Sequence, residues 1–316
     1  MKQLIMNKTS EHSLVNRHAR VKATSLSDVR HQVTYVATCL VACLAFSGCS
    51  QNSSATATEK DIEKTSERMS ETASPTPPRS APARTSEERA RDQFRHPAET
   101  LMFFEVTPEQ TVVELWPGGG WYSAILAPYL KRNGQLIAAH FPADSEISFF
   151  SKSRAAYEQR FLMQPEVYGN IHITELAPPK HLTVARAGEA DRVLTFRNIH
   201  NWMRNRQEQA VFDEAYRVLK PGGILGVVEH RAPENFSREQ MVETGYVSES
   251  YVTQLAVKAG FVPEGHSEVN ANPQDTRDHP HGVWSLPPTL RGGDTNRSRF
   301  ETIGESDRMT LKFRKP

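Results

Sequence analysis

Beyond residue 110 the chain alternates short apolar runs with helix-like stripes. The runs are TVVELW (111–116), GQLIAAHF (134–141), NIHITEL (170–176), DRVLTF (191–196), GILGVVEH (223–230) and RMTLKF (308–313). Most are continuously apolar rather than alternating, which predicts strands covered on both faces. A further strand, sixth in order, is expected at HSEVNAN (266–272). Between the runs, EQAVFDEAYRVLK sets Val211, Phe212, Ala215, Val218 and Leu219 on one stripe. YVTQLAVKAGF does the same with Val252, Leu255, Ala256 and Ala259, and Gly260 stands where a helix C-cap belongs. Repeated strand–helix units imply an α/β fold. The expectation is a Rossmann-like, mainly parallel seven-stranded sheet with helices on both faces, in a single domain.

The front of the chain is patterned differently. Residues 1–48 carry six Lys/Arg against two Asp/Glu, which leaves −3 for the rest of a chain whose total is +1. The body therefore has no electrostatic footprint for nucleic acid. Arg17, Arg20, Lys22 and Arg30 precede a 14-residue apolar run, Val33 to Phe46. That run is short for a bilayer span and suits the apolar core of a signal peptide. It ends in FSGCS, with small residues directly before Cys49, and resembles a bacterial lipoprotein signal. The resemblance implies that the Cys49 thiol is lipid-modified and becomes the mature N-terminus.

On this reading residues 1–48 are a signal peptide and 49–86 a Ser/Thr/Pro/Glu-rich tether too poor in apolar residues to fold. The folded domain covers 87–316, anchored through Cys49 and facing the periplasm. The alternative is a start at Met69, which gives a cytoplasmic protein. Thr85 with Glu88 makes a capping-box pattern opening a helix that Pro97 is expected to end. The three cysteines, Cys39, Cys43 and Cys49, all lie in front, so the body has no cysteine-based metal site or disulfide framework.

The densest chemistry is in TVVELWPGGGWYSAILAPYL. A strand ends in Glu114, and Trp116, Pro117, Gly118, Gly119 and Gly120 connect it to a helix. A glycine turn after the first strand places bare backbone and a helix N-terminus at the carboxyl end of the sheet, where open α/β folds bind ligands. A tight connection with no ligand is the plainer alternative. The pattern is neither G-x-G-x-x-G nor G-x-x-x-x-G-K-[ST], so it matches neither a dinucleotide fingerprint nor a triphosphate loop.

This turn resembles the first motif of class I S-adenosylmethionine-dependent methyltransferases. Glu114 stands at the acidic position, and Gly118 and Gly120 match two of the glycines, with Trp116 in place of the first. EAYRVLKPGGILGVVEH and ADRVLTFRNIHNWM extend the resemblance over roughly 87–316. HPAETLMFFEV, WPGGGWYSAILAPYL, GVWSLPPTL and IGESDRMTLKF are similar to a subfamily of predicted exported methyltransferases. The resemblance implies S-adenosylmethionine as cofactor, in-line methyl transfer and a small-molecule acceptor. It also implies that His140 occupies the place of the ribose-holding acid, with Asp144 able to reach back. Glu175 falls near the adenine position, its alternative being a solvated strand end.

Methyl transfer needs a base only when the acceptor must lose a proton. His200 is the candidate, with Arg197 and Asn198 to orient the acceptor and Asn201 and Trp202 beside them. The plainer reading of His200 is a polar loop residue at a helix start. The long connection at 271–305 contains NPQDTRDHPHGVWSLPPTL and is read as an acceptor lid carrying Asp275 and Trp284, or else as a surface loop. Asp275, Asp278, His279 and His281 match no strong ligand spacing, and no metal is expected. S-adenosylmethionine is made in the cytosol, so an exported domain of this kind has a rival reading as a non-catalytic ligand-binding or envelope-interaction module.

Overall fold

The computed structural model describes residues 84–316. The expected signal peptide, Cys49, Met69 and nearly all of the expected tether lie outside the described residues. Among the described residues no helix is long and apolar enough to cross a membrane.

Strands β1 (Thr111–Leu115), β2 (Gln135–His140), β3 (His172–Glu175), β4 (Ala190–Phe196), β5 (Leu219–His230), β6 (Val262–Ser267) and β7 (Arg308–Arg314) form one seven-stranded sheet in the order β3-β2-β1-β4-β5-β7-β6. β1 to β5 pair in parallel, and β7 lies antiparallel between β5 and β6. The order reverses between β1 and β4, so the crevice expected of such sheets opens at their carboxyl ends. Val113 sits level with Ile137 of β2 and Val193 of β4.

Successive residues of a strand point to opposite faces, and both faces are covered. Val113, Leu115, Ile137 and Val193 pack on one side with Val211, Phe212 and Leu255. Those last three come from α8 (Glu208–Val218) and α10 (Glu249–Ala259). Val112, Leu136, Ala138 and Leu194 pack on the other with Leu101, Ile125 and Phe161. These belong to α3 (Pro97–Phe103), α4 (Ser123–Leu130) and α5 (Ser148–Phe161). The remaining helices are α1 (Ser86–Ala90), α2 (Asp92–Arg95), α6 (Pro165–Tyr168), α7 (Ile199–Met203), α9 (Arg238–Thr244) and α11 (Arg297–Ile303).

The capping box at Thr85 is present, with Glu88 N–H on the Thr85 hydroxyl and Thr85 N–H on the Glu88 carboxylate. The helix it opens breaks sooner than expected. His96 takes a left-handed backbone (φ 36°), and Pro97 is the first residue of α3 rather than a stop, a position its fixed φ and missing N–H suit. β6 also begins earlier than the 266–272 expected. Gly260 caps α10 in the left-handed conformation and the strand follows at once. It is an exposed edge carrying Pro263 and Gly265 with a register shift between them, so the apolar run that marks a buried strand is missing.

Candidate ligand site at the glycine turn

A cavity of about 410 Å³ lies at the carboxyl ends of β1 and β4. Its floor is the turn Trp116–Gly119, one wall is Phe196, Arg197 and Asn198 after β4, and α1 and α2 close it with Glu88, Arg91 and Arg95. The cover is therefore the N-terminal segment. The 271–305 connection, expected to be the lid, contributes no lining residue to this cavity.

The three glycines serve different ends. Gly118 has φ +58°, and a Cβ there, or at Gly119, would point into open space. Gly120 has φ +77°, but a Cβ there would stand 2.3 Å from the buried Phe161 ring. The side chain missing at Gly120 makes room for α5, not for a ligand. Only Gly118 and Gly119 present bare backbone to the cavity.

Glu114 is 2 % exposed behind the turn. It accepts a 2.6 Å hydrogen bond from Ser123 Oγ, which in turn accepts from Tyr157 Oη at 2.9 Å. Burial pushes its carboxyl up to about 7, against the hydrogen bond from Ser123 and the Arg197 charge.

Trp116 takes φ +47° and donates from Nε1 to the Leu176 carbonyl at 2.7 Å. Its ring packs against Phe141 (4.9 Å), Phe150 (5.8 Å) and Trp202 (5.7 Å). This aromatic cluster ties the turn to Phe141 after β2 and to Trp202 after β4.

His140 does not take the ribose-holding place. It is fully buried, Nδ1 accepts from Phe141 N–H at 2.8 Å, and Nε2 faces the Gly118 carbonyl at 3.0 Å. An acceptor role at Nδ1 puts the ring proton on Nε2, so both nitrogens are used inside the chain. Burial holds the imidazole down at about 4, with Arg154 adding to the effect and the Gly118 carbonyl opposing it. His140 is a neutral peg that fixes the turn. Glu175 is half-buried, 3.0 Å from His181 Nδ1, and accepts from Ala143 N–H. It does not line the cavity.

Arg197 and Asn198 are brought to the cavity, whereas His200 is not. Asn198 donates through Nδ2 to the Leu115 and Trp116 carbonyls at 2.9 and 3.3 Å, tying the loop after β4 to the end of β1. His200, 4 % exposed, turns its Nδ1 to Glu229 at 3.1 Å and meets Trp284 edge to face at 6.0 Å. Trp284 also lies under the Arg204 and Arg291 guanidinium groups, so the insert meets the domain at the end of β5.

Asp275, expected on the lid surface, is an interior post with 1 % exposure. Its oxygens accept from Tyr246 Oη and the backbone N–H groups of Arg277 and Asp307, and His279 Nε2 lies at 2.8 Å.

His200, Glu229 and His230 offer ligand atoms all within 4.8 Å of one another. Burial, then His200 and Arg308, hold the His230 imidazole well below its ordinary value, with Arg197 and Arg95 adding to this. A metal cation could be held there by type and spacing, but it would face a field already made positive by arginines.

No protein-family model matches the chain, and no curated protein matches it. Solved structures do. The [4+2]-cyclase SpnF superposes with TM-score 0.51 at 18% identity, over 74% of this chain and 85% of that one. A SAM-dependent methyltransferase from Aquifex aeolicus gives TM-score 0.45 at 17% identity, over 57% and 87%. An arsenic(III) S-adenosylmethionine methyltransferase from Chlamydomonas reinhardtii gives 0.42 at 14%, over 65% and 63%. The described residues have a Rossmann-like fold, a seven-stranded, mostly parallel sheet with helices on both faces. A cyclase among the similar structures shows that this fold does not by itself fix the chemistry.

Proposed function

We propose that the chain transfers a methyl group from S-adenosylmethionine to a small molecule bound in the cavity over β1 and β4. The observation that carries the reading is the open space above Gly118 and Gly119 at the switch point of the sheet. There a positive-φ glycine exposes backbone that any side chain would cover. Gly118, Gly119 and the Trp116 ring would hold the cofactor, with Glu114 behind them. When bound, it supplies a methyl group already activated by a sulfonium centre. The protein's own part is to orient the acceptor and exclude water. Arg197 lines the wall and Asn198 locks the loop that carries it, while α1 and α2 cover the opening.

The FSGCS signal supports export and a lipid anchor on Cys49, and the four sequence segments noted above support placement with exported methyltransferases. An exported enzyme must then obtain cofactor from across the membrane.

The test is calorimetry of the full chain with S-adenosylmethionine and S-adenosylhomocysteine, beside Gly118→Val. Saturable binding by wild type and its loss in a folded variant support the reading. A folded wild type that binds neither compound overturns it and leaves a non-catalytic binding role.

A further inference from the structure

The cavity is lined by three guanidinium groups, of which only two have a carboxylate in ion-pair contact among the described residues. Arg91, Arg95 and Arg197 line it, and Arg308 stands close enough to perturb Arg95 and Arg197. Glu305 is shared among Arg91 (2.5 Å), Arg95 (3.2 Å) and Arg308. One carboxylate thus faces three guanidinium groups. Glu88, the half-buried acid of the lining, spends its oxygens on Arg160 at 2.6 and 2.9 Å and on Thr85 N–H. Glu87 is exposed.

Two of the arginines have free donors. Arg197 makes no side-chain hydrogen bond or ion pair among the described residues, although burial, then Arg308, push its guanidinium down to about 10. Arg95 is 3 % exposed, lies 4.6 Å from the Trp121 centroid, and leaves Nη1 buried without a partner. A buried guanidinium N–H without an acceptor is costly, and the geometry is resolved if the acceptor arrives with the ligand. Trp121 and Phe196 line the cavity beside these donors, with Arg84 and Arg95 over the Trp121 ring and Tyr122 stacked on Phe196 at 3.5 Å.

We propose that the molecule bound over β4 is a small oxyacid, its carboxylate or phosphate held by Arg197 and Arg95 and its apolar part laid beside Trp121 and Phe196. This deepens the reading of the cavity as the acceptor site but does not depend on methyl transfer. It fits a second feature of the lining, which holds no histidine, cysteine or lysine to serve as a base. An acceptor that arrives ionised needs no base to deprotonate it.

The anion has a second source, the amino-acid carboxylate of the cofactor, and the experiment separates the two. The full chain is titrated with benzoate, inorganic phosphate, S-adenosylhomocysteine and methylthioadenosine, the last lacking the carboxylate. Arg197→Gln and Arg91→Gln are titrated alongside, with thermal midpoints as a check on folding. Benzoate or phosphate is expected to bind wild type, at least tenfold more weakly to Arg197→Gln and two- to fivefold more weakly to Arg91→Gln. S-adenosylhomocysteine affinity is expected to stay within twofold in both. Failure of both anions to bind a folded wild type overturns the proposal. So does a loss in Arg197→Gln confined to S-adenosylhomocysteine and sparing methylthioadenosine, which assigns the arginines to the cofactor. If neither adenosine compound binds, the benzoate and phosphate titrations still decide the point. If Arg197→Gln does not fold, Arg91→Gln carries the test, because its side chain is 27% exposed at the cavity mouth.

Discussion

The glycine turn has two flanks, and they differ in kind. Toward β4 it borders open space with arginines on the wall and bare backbone on the floor. Toward β2 it is closed by Trp116, Phe141 and Phe150, and pegged from below by His140. Residues two apart in one motif therefore answer to different demands. Gly118 leaves room for something that arrives, whereas Gly120 leaves room for Phe161, which is always there. A glycine-rich motif is thus not a single site, and each of its positions has to be assigned by what an added methyl group would touch.

That contrast breaks most sharply at the two glycines. Gly120→Val should cost about 3–5 kcal/mol, from overpacking against Phe161 and an unfavourable left-handed backbone. Gly118→Ala should cost only about 1–2 kcal/mol, for the backbone alone, while reducing ligand binding. Urea denaturation of the two variants reads the difference, and equal losses would contradict the assignment.

Glu114 lies beneath both flanks. Its carboxyl titrates higher in the folded chain than in the unfolded one, so its stabilising share is present at low pH and is lost as pH rises through about 7. Glu114→Gln should remove that loss. Relative to wild type, the variant should gain roughly 2–3 kcal/mol between pH 5 and pH 8. Taking the difference between the proteins cancels the opposite titration of His140, whose depressed pKa makes its contribution fall away as pH drops from 6.5 toward 4.

The smallest change in affinity belongs to the closed flank. His140→Ala should cost about 2–4 kcal/mol, from the cavity left by a fully buried ring and two backbone groups left unpaired. Affinity for S-adenosylhomocysteine should change less than twofold once folding is corrected for. A selective collapse of affinity with unchanged stability would return His140 to a ligand-holding role.

The sheet was legible because its strands are buried on both faces and so leave long apolar runs; β6 was misplaced because an exposed edge leaves none. The placement of Gly118, Gly119, Arg197 and Asn198 at the switch point was also legible, because strand ends and glycines mark it locally. The cover was not. Arg91 and Arg95 lie four apart, a spacing that signals a shared helical face, but nothing local says that this face turns toward residue 197. Asp275 and His140 were misjudged for one reason, that polar side chains flanking a motif look alike whether they face a ligand or their own backbone. Glu229 and His230 carried a signal that went unread, since a charged residue closing a buried strand requires a partner, here His200.

Glu305 joins Arg91 and Arg95 to the start of β7, across more than two hundred residues, and β7 inserts between β5 and β6. During synthesis the glycine turn is made before β2, yet the counter-charge that steadies its cover is made only after β6. A nascent chain can build the floor of the cavity long before it can close the roof, and ligand cannot act as an early folding template. Competence to bind should therefore appear only once Glu305 and β7 have been made, and a ribosome-stalled product ending before Glu305 should retain the β1–β5 pairing and none of the affinity.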